Sequence, residues 1–190
     1  MYLWQSPIST RMRKSLQMEK MISLSIRARV AYAILCLEHL LQHLKYDFSK
    51  WELILEELWQ YTAGNPGQWH ESMAEMIPFS INEEIAFELK ECVYINLEKH
   101  DQLQELYKDV HEDVLRIIGL TIEIGTRDLY ASIVNNSPDT LNYLDRIIAI
   151  LERNGVELPT TAQLKSFTID QQNGWGNPFA RVQITEHRGN

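Results

Sequence analysis

The sequence predicts an all-α fold: a single-domain bundle of about six to seven helices ending in an irregular or short hairpin-like C-terminal tail. Three observations carry that reading. Apolar residues recur at three- and four-residue steps in every long segment. Capping residues and turn pairs such as Asn65-Pro66, Ser137-Pro138 and Asn154-Gly155 separate those segments. Only RIIGLTIEIG (116–125) alternates as a strand would, and it reads as helix because helical signals bracket it and a lone strand would have no partner. At 190 residues the chain fits one domain, able to bury roughly 70% of the surface its unfolded form exposes. The organisation read from it is a basic N-terminal arm over 1–24, a helical domain over 25–165 and a non-helical tail over 166–190 packed on that domain.

Residues 25–45 read as one long helix, with Ile26, Val30, Ala33, Ile34, Leu37, Leu40, Leu41 and Leu44 recurring on its inner side. Tyr46–Asn65 is the best-specified helix and the expected scaffold. Ser49 and Glu52 have capping-box spacing, Phe48 and Leu53 suit a hydrophobic staple, and Gly64 suits a left-handed stop. Its Trp51, Ile54, Leu55, Leu58, Trp59 and Tyr61 share one arc, opposite Glu52, Glu56 and Gln60. Asn65 caps a short helix over 66–76, with Pro66 in its first turn.

Ser80 and Glu83 form a second capping-box pattern, predicting a fourth helix to about Leu97 with Ile85, Ala86, Leu89, Cys92, Val93 and Leu97 inward. A fifth runs from about Asp101, with Leu103, Leu106, Val110, Val114 and Ile117 inward. A sixth covers about 138–153, with Leu141, Leu144, Ile147, Ile148 and Leu151 inward. Thr160, three residues before Gln163, suits the cap of one further turn. The tail, SFTIDQQNGWGNPFARVQI, sets Trp175 between Gly174 and Gly176. That tryptophan reads either as a plug on the helical core or as an aromatic anchor for a partner.

The net charge of −8 is unevenly distributed. Arg11, Arg13, Lys14, Lys20, Arg27 and Arg29 stand against Glu19 alone in the first thirty residues, a formal +5 that leaves −13 for the remainder. A body so acidic is repelled by phosphates, which disfavours nucleic acid and favours a basic protein partner. No apolar run approaches the ~20 residues that span a bilayer, so no membrane role is expected. Cys36 and Cys92 fall on apolar helix faces as free thiols, in keeping with a reducing cytoplasm.

Catalytic patterns are missing: no GxSxG elbow, no GxxxxGK[ST] loop and no GxGxxG after a strand. His39 and His43 stand four apart and could share a metal, but EHLLQH is not a zinc-protease pattern and no third ligand suggests itself. No cofactor or metal site is therefore expected. The candidate partner-binding residues are acidic. Glu84, Glu88 and Glu91 stand at i, i+4 and i+7 on the expected fourth helix, and Glu105, Asp109 and Glu112 repeat the spacing on the fifth. Four adjacent like-charged pairs would cost about 1–2 kcal/mol in all. The stripe fits a solvated helix face, or a docking surface for a cationic protein.

The long first helix followed by FSKWELILEELWQYT, the later GTRDLYASI and the closing LPTTAQLKSFTIDQQNGWGNPF resemble small all-helical immunity proteins of bacterial polymorphic toxin systems. The resemblance covers the chain from about residue 25 onward, on structural and aromatic motifs. It implies stoichiometric neutralisation of a cognate toxin, often a nuclease, in the cytoplasm, and assigns no individual residues. Two rival classes stand beside it. One is a small metal-dependent helical enzyme using His39 and His43. The other is a structural or regulatory homo-oligomer such as a homodimer.

Overall fold

The computed structural model describes residues 18–185, and over that span the protein is an all-α bundle. Its long helices are α1 (Ile26–His43), α2 (Phe48–Ala63), α3 (Pro66–Met76), α4 (Leu97–Tyr107), α5 (Glu112–Thr126) and α6 (Pro138–Arg153). Single helical turns lie at Pro78–Ile81 and Val182–Thr185. Among the described residues there is no strand, only an isolated antiparallel bridge between Leu24 and Thr168, and no helix long and apolar enough to cross a membrane.

The centre of the bundle is α1, not the Tyr46–Asn65 helix that the sequence singles out. Every residue from Ile26 to Glu38 is buried, and α2, α5 and α6 all pack on it. Ala28, Ala31, Ala33 and Cys36 are small enough to let neighbours approach on every side. Its buried charges are therefore partnered. Glu38 accepts from the Trp59 indole N–H at 3.0 Å and from Arg181 of the tail at 2.7 Å. Arg27 donates to the carbonyls of Tyr61 and, at 3.0 Å, Gly64.

The inward arc of α2 is as expected, with Trp51, Ile54, Leu55, Leu58, Trp59 and Tyr61 all buried. Its ends differ. Asp47, not Ser49, is the N-cap: its carboxylate accepts from the Ser49 backbone N–H at 3.1 Å and the Ser49 hydroxyl at 2.8 Å. The staple moves upstream with it. Tyr46 and Trp51 meet edge-to-face at 5.6 Å, while Phe48 is exposed. Gly64 is extended (φ −87°, ψ −170°) rather than left-handed. Glycine is needed there because a Cβ would sit 2.8 Å from the Gln60 carbonyl oxygen. Asn65 caps α3 as expected, accepting from the N–H groups of Gly67 and Gln68.

Between α3 and α4 the expected fourth helix is not formed. Beyond Ile81 the chain is irregular to Asn96 except for a 3₁₀ turn at Phe87–Leu89. The expected fifth helix is two: α4 starts at its Asn96 cap, and α5 after a break in which His111 Nδ1 accepts from the Asp113 N–H at 3.2 Å. The 116–125 stretch is helical, inside α5. Cys36 is buried, Cys92 half-buried, and both are free.

No hairpin forms in the tail. It pairs instead with the chain just before α1: Ser25 N–H donates to the Phe167 carbonyl at 3.0 Å, and Ile169 N–H to that of Ser23 at 2.9 Å. Phe167 stacks on Phe179 at 3.9 Å, and Phe179 exchanges hydrogen bonds with Thr62 of α2. Of the basic arm, residues 1–17 lie outside the described residues, whereas Met21 and Leu24 are buried in the core.

Candidate partner-binding surface

The irregular segment joining α3 to α4 concentrates exposed apolar side chains. Eleven large hydrophobic residues are exposed among the described residues, and six fall between positions 79 and 97: Phe79, Ile85, Leu89, Val93, Tyr94 and Leu97. Phe79, Leu89 and Val93 are 79%, 72% and 82% exposed, close to what a free side chain would show. Interleaved with them are Glu83, Glu84, Glu88 and Glu91, all exposed. Scattered apolar residues on a surface need no explanation, but a concentration of this kind makes the segment the candidate recognition surface.

Irregular backbone holds such a surface in place only if something else satisfies its polar groups. Here Glu75 of α3 does so. Its carboxylate accepts from the N–H groups of Val93, Tyr94 and Ile95 at 2.8, 2.8 and 3.0 Å. One turn earlier, Glu71 accepts from the Tyr94 hydroxyl at 2.5 Å, which holds that phenol above its usual pKa. Lys90 reaches back to the carbonyls of Ser80 at 2.6 Å and Ile81 at 3.3 Å and approaches His100 Nε2 at 3.3 Å. Phe87 rests on the His100 ring, and Ile81 and Ile95 plug the segment into the core.

These tertiary bonds explain the missing helix. The N–H groups of 93–95 and the carbonyls of 80 and 81 bond side chains instead of an i, i−4 ladder, and the helical alternative would crowd Glu84, Glu88 and Glu91 on one face. Glu75→Gln leaves one acceptor oxygen for three N–H donors that now share two, a loss of about 1–3 kcal/mol of local stability. The amides of Val93, Tyr94 and Ile95 are then expected to exchange hydrogen about ten to a hundred times faster. Unchanged exchange would show that Glu75 is not the tether.

The six acidic candidates thus do not form two helical stripes. Glu84, Glu88 and Glu91 lie on the irregular segment, with Glu91 at φ 51°. Glu105 is on α4, Asp109 in the turn after it, and Glu112 opens α5, paired with Arg116. The structure brings Glu105 and Asp109 together with Asp101 along a groove of about 930 Å³ between the start of α2 and α4. Trp175 is half-buried and packs against the core, its carbonyl accepting from Arg27 N–H at 3.1 Å. Its glycine neighbours are structural. Gly174 (φ 99°) and Gly176 (φ 86°) are left-handed, and a Cβ would sit 2.9 Å from Ile133 or 2.2 Å from Ser25. What remains open of Trp175 lines a shallow pocket of about 590 Å³ with Tyr130, Gln172 and Asn173.

Comparison with protein-family models, curated proteins and solved structures finds no match. The function must be read from the surface alone.

His39 engages the Glu157 carbonyl through Nδ1 at 2.9 Å, leaving Nε2 alone for other contacts. Among the described residues no group of three His, Cys, Asp or Glu side chains could hold a metal ion. Burial first, then the Glu75 carboxylate, raise the Cys92 thiol pKa, which disfavours the thiolate a nucleophile needs. Sequence reasoning missed the exposed apolar residues, since a helix over 81–97 turns Ile85, Leu89, Val93 and Leu97 inward. The adjacent carboxylates of Glu71 and Glu75, four apart on α3 just before the segment, are the signal that could have found it.

Proposed function

We propose that this protein is a non-catalytic binding module: an immunity protein that neutralises a basic, nuclease-like toxin stoichiometrically in the cytoplasm. The observation that carries this reading is the segment 79–97, where exposed apolar anchors alternate with Glu83, Glu84, Glu88 and Glu91 on a backbone held by Glu75. Apolar anchors supply affinity once desolvated, and the acids steer a cationic partner towards them. The net charge of −8 is the sum of +5 over the first thirty residues and −13 beyond them, so the long-range field also favours a basic partner.

The test is co-purification with the protein encoded by the neighbouring reading frame, where a toxin-like domain is expected. A one-to-one complex should form in light scattering, and nuclease activity should fall with its formation. Glu84→Lys combined with Glu88→Lys should slow association about tenfold at low salt. The melting temperature should move by less than ~2 °C, because both side chains are solvated. Leu89→Ala with Val93→Ala should instead speed dissociation. A complex whose rates ignore both pairs of substitutions would put the interface elsewhere.

A further inference from the structure

The groove between the start of α2 and α4 is not absorbed by the segment 79–97. One side is formed by Lys45, Tyr46, Asp47, Lys50 and Leu53, the other by Asp101, Glu105, Leu106, Asp109 and Val110. Its floor is apolar: Leu53, Leu106 and Val110 are half-buried, and Tyr46 sits on buried Trp51. The margins carry opposite net charge: Lys45 and Lys50 outnumber the capping Asp47 on the α2 side, and Asp101, Glu105 and Asp109 line the α4 side. Among the described residues no ion pair joins Lys45 or Lys50 to Asp101, Glu105 or Asp109. The floor holds the margins apart, so their charges are left for an occupant.

An apolar floor between two helices, flanked by unlike charges, is the receiving geometry for a third, amphipathic helix. Charged flanks beside an apolar seam fix partner choice, as they do in coiled coils. A groove of about 930 Å³ has room for the side chains of about two helical turns. It also continues the proposed interface: α4 begins at exposed Leu97 and Glu98, where the acidic segment ends, and Asp101 and Glu105 follow at helical spacing.

We infer that the groove receives an amphipathic helix of the basic partner, its apolar stripe on Leu53, Leu106 and Val110. Lysines or arginines run along α4, and acidic residues lie beside Lys45 and Lys50. This rests on the partner-binding reading above and extends the contact to a second site.

The test uses a synthetic helical peptide of roughly four turns with a leucine stripe, lysines on one flank and glutamates on the other. Its zero net charge removes non-specific attraction to an acidic protein. The control has the same composition in scrambled order. Titrated into the full-length protein, the patterned peptide should shift the NMR amide signals of 45–53 and 101–110 saturably, and the scrambled one should not. Asp101→Lys with Glu105→Lys makes both margins basic and should weaken the patterned peptide about tenfold. Asp170→Lys, a charge reversal on an exposed side chain of the tail beside the start of α1, should leave it unchanged. Equal shifts from both peptides, shifts centred elsewhere, or indifference to the margin substitutions would overturn the inference. Peptide binding in the groove without any complex with the neighbouring gene's product would overturn only the immunity reading. A complex without peptide binding would overturn only this one.

Discussion

Arg29→Ala is expected to destabilise the protein by about 3–5 kcal/mol, by leaving buried carbonyls without donors. Arg29 is fully buried in α1. Its Nη1 donates to the Asn136 carbonyl at 2.6 Å, the Thr140 hydroxyl at 2.7 Å and the Ser137 carbonyl at 3.3 Å, and Nη2 to the Ile22 carbonyl at 3.1 Å. These bonds restrain a strained turn. Asn135, Asn136 and Ser137 all have left-handed φ, at 49°, 57° and 50°, each costing of order 1–3 kcal/mol without glycine. Burial pushes the Arg29 pKa down to about 10, with the Asp128 carboxylate opposing, so the guanidinium is still charged at neutral pH. The expected melting temperature falls by roughly 10 °C, and amides between 134 and 141 should exchange faster. Arg29→Lys keeps the charge but not the fork, so it should recover only a fraction of the loss. A melting temperature within about 2 °C of the parent would refute the clamp.

Arg29 also shows where sequence reading stops. Three of its four partners lie 107 to 111 positions away, and nothing local distinguishes it from Arg27 or from a solvated arginine. Both therefore enter the +5 counted over the first thirty residues, although both are inside the bundle. Tertiary bonds also erase the expected fourth helix: its periodicity is local, and Glu75 overrides it from α3, 18 to 20 positions away, while Lys90 bonds carbonyls 9 and 10 positions back. Where local signals suffice, the reading holds. Asn65 caps α3, and Leu144, Ile147, Ile148 and Leu151 of α6 are buried, since an amphipathic helix with a Pro start and an Asn-Gly end needs no distant partner to be recognised. The candidate site was half legible: the acidic residues are visible in the sequence, but the apolar residues among them are exposed only because the helix fails to form.

Trp51→Ala is expected to cost about 3–5 kcal/mol, the range for truncating a buried aromatic. Trp51 is 1% exposed, and Tyr46 lies edge-on against it at 5.6 Å. The Tyr46 hydroxyl accepts in turn from the His111 N–H at 3.0 Å, next to the start of α5. One side chain thus supports the entry to α2, the α4–α5 break and the floor of the groove. Truncation should broaden thermal unfolding and loosen His111 as well as leave a cavity. Trp51→Phe should restore most of the stability, since an aromatic ring can still meet Tyr46. The outcome separates scaffold from interface: a Trp51→Ala protein that melted normally yet lost its partner would make Trp51 a contact residue. If stability and binding fall together and Trp51→Phe rescues both, Trp51 is support for the surfaces around it and not itself a contact residue.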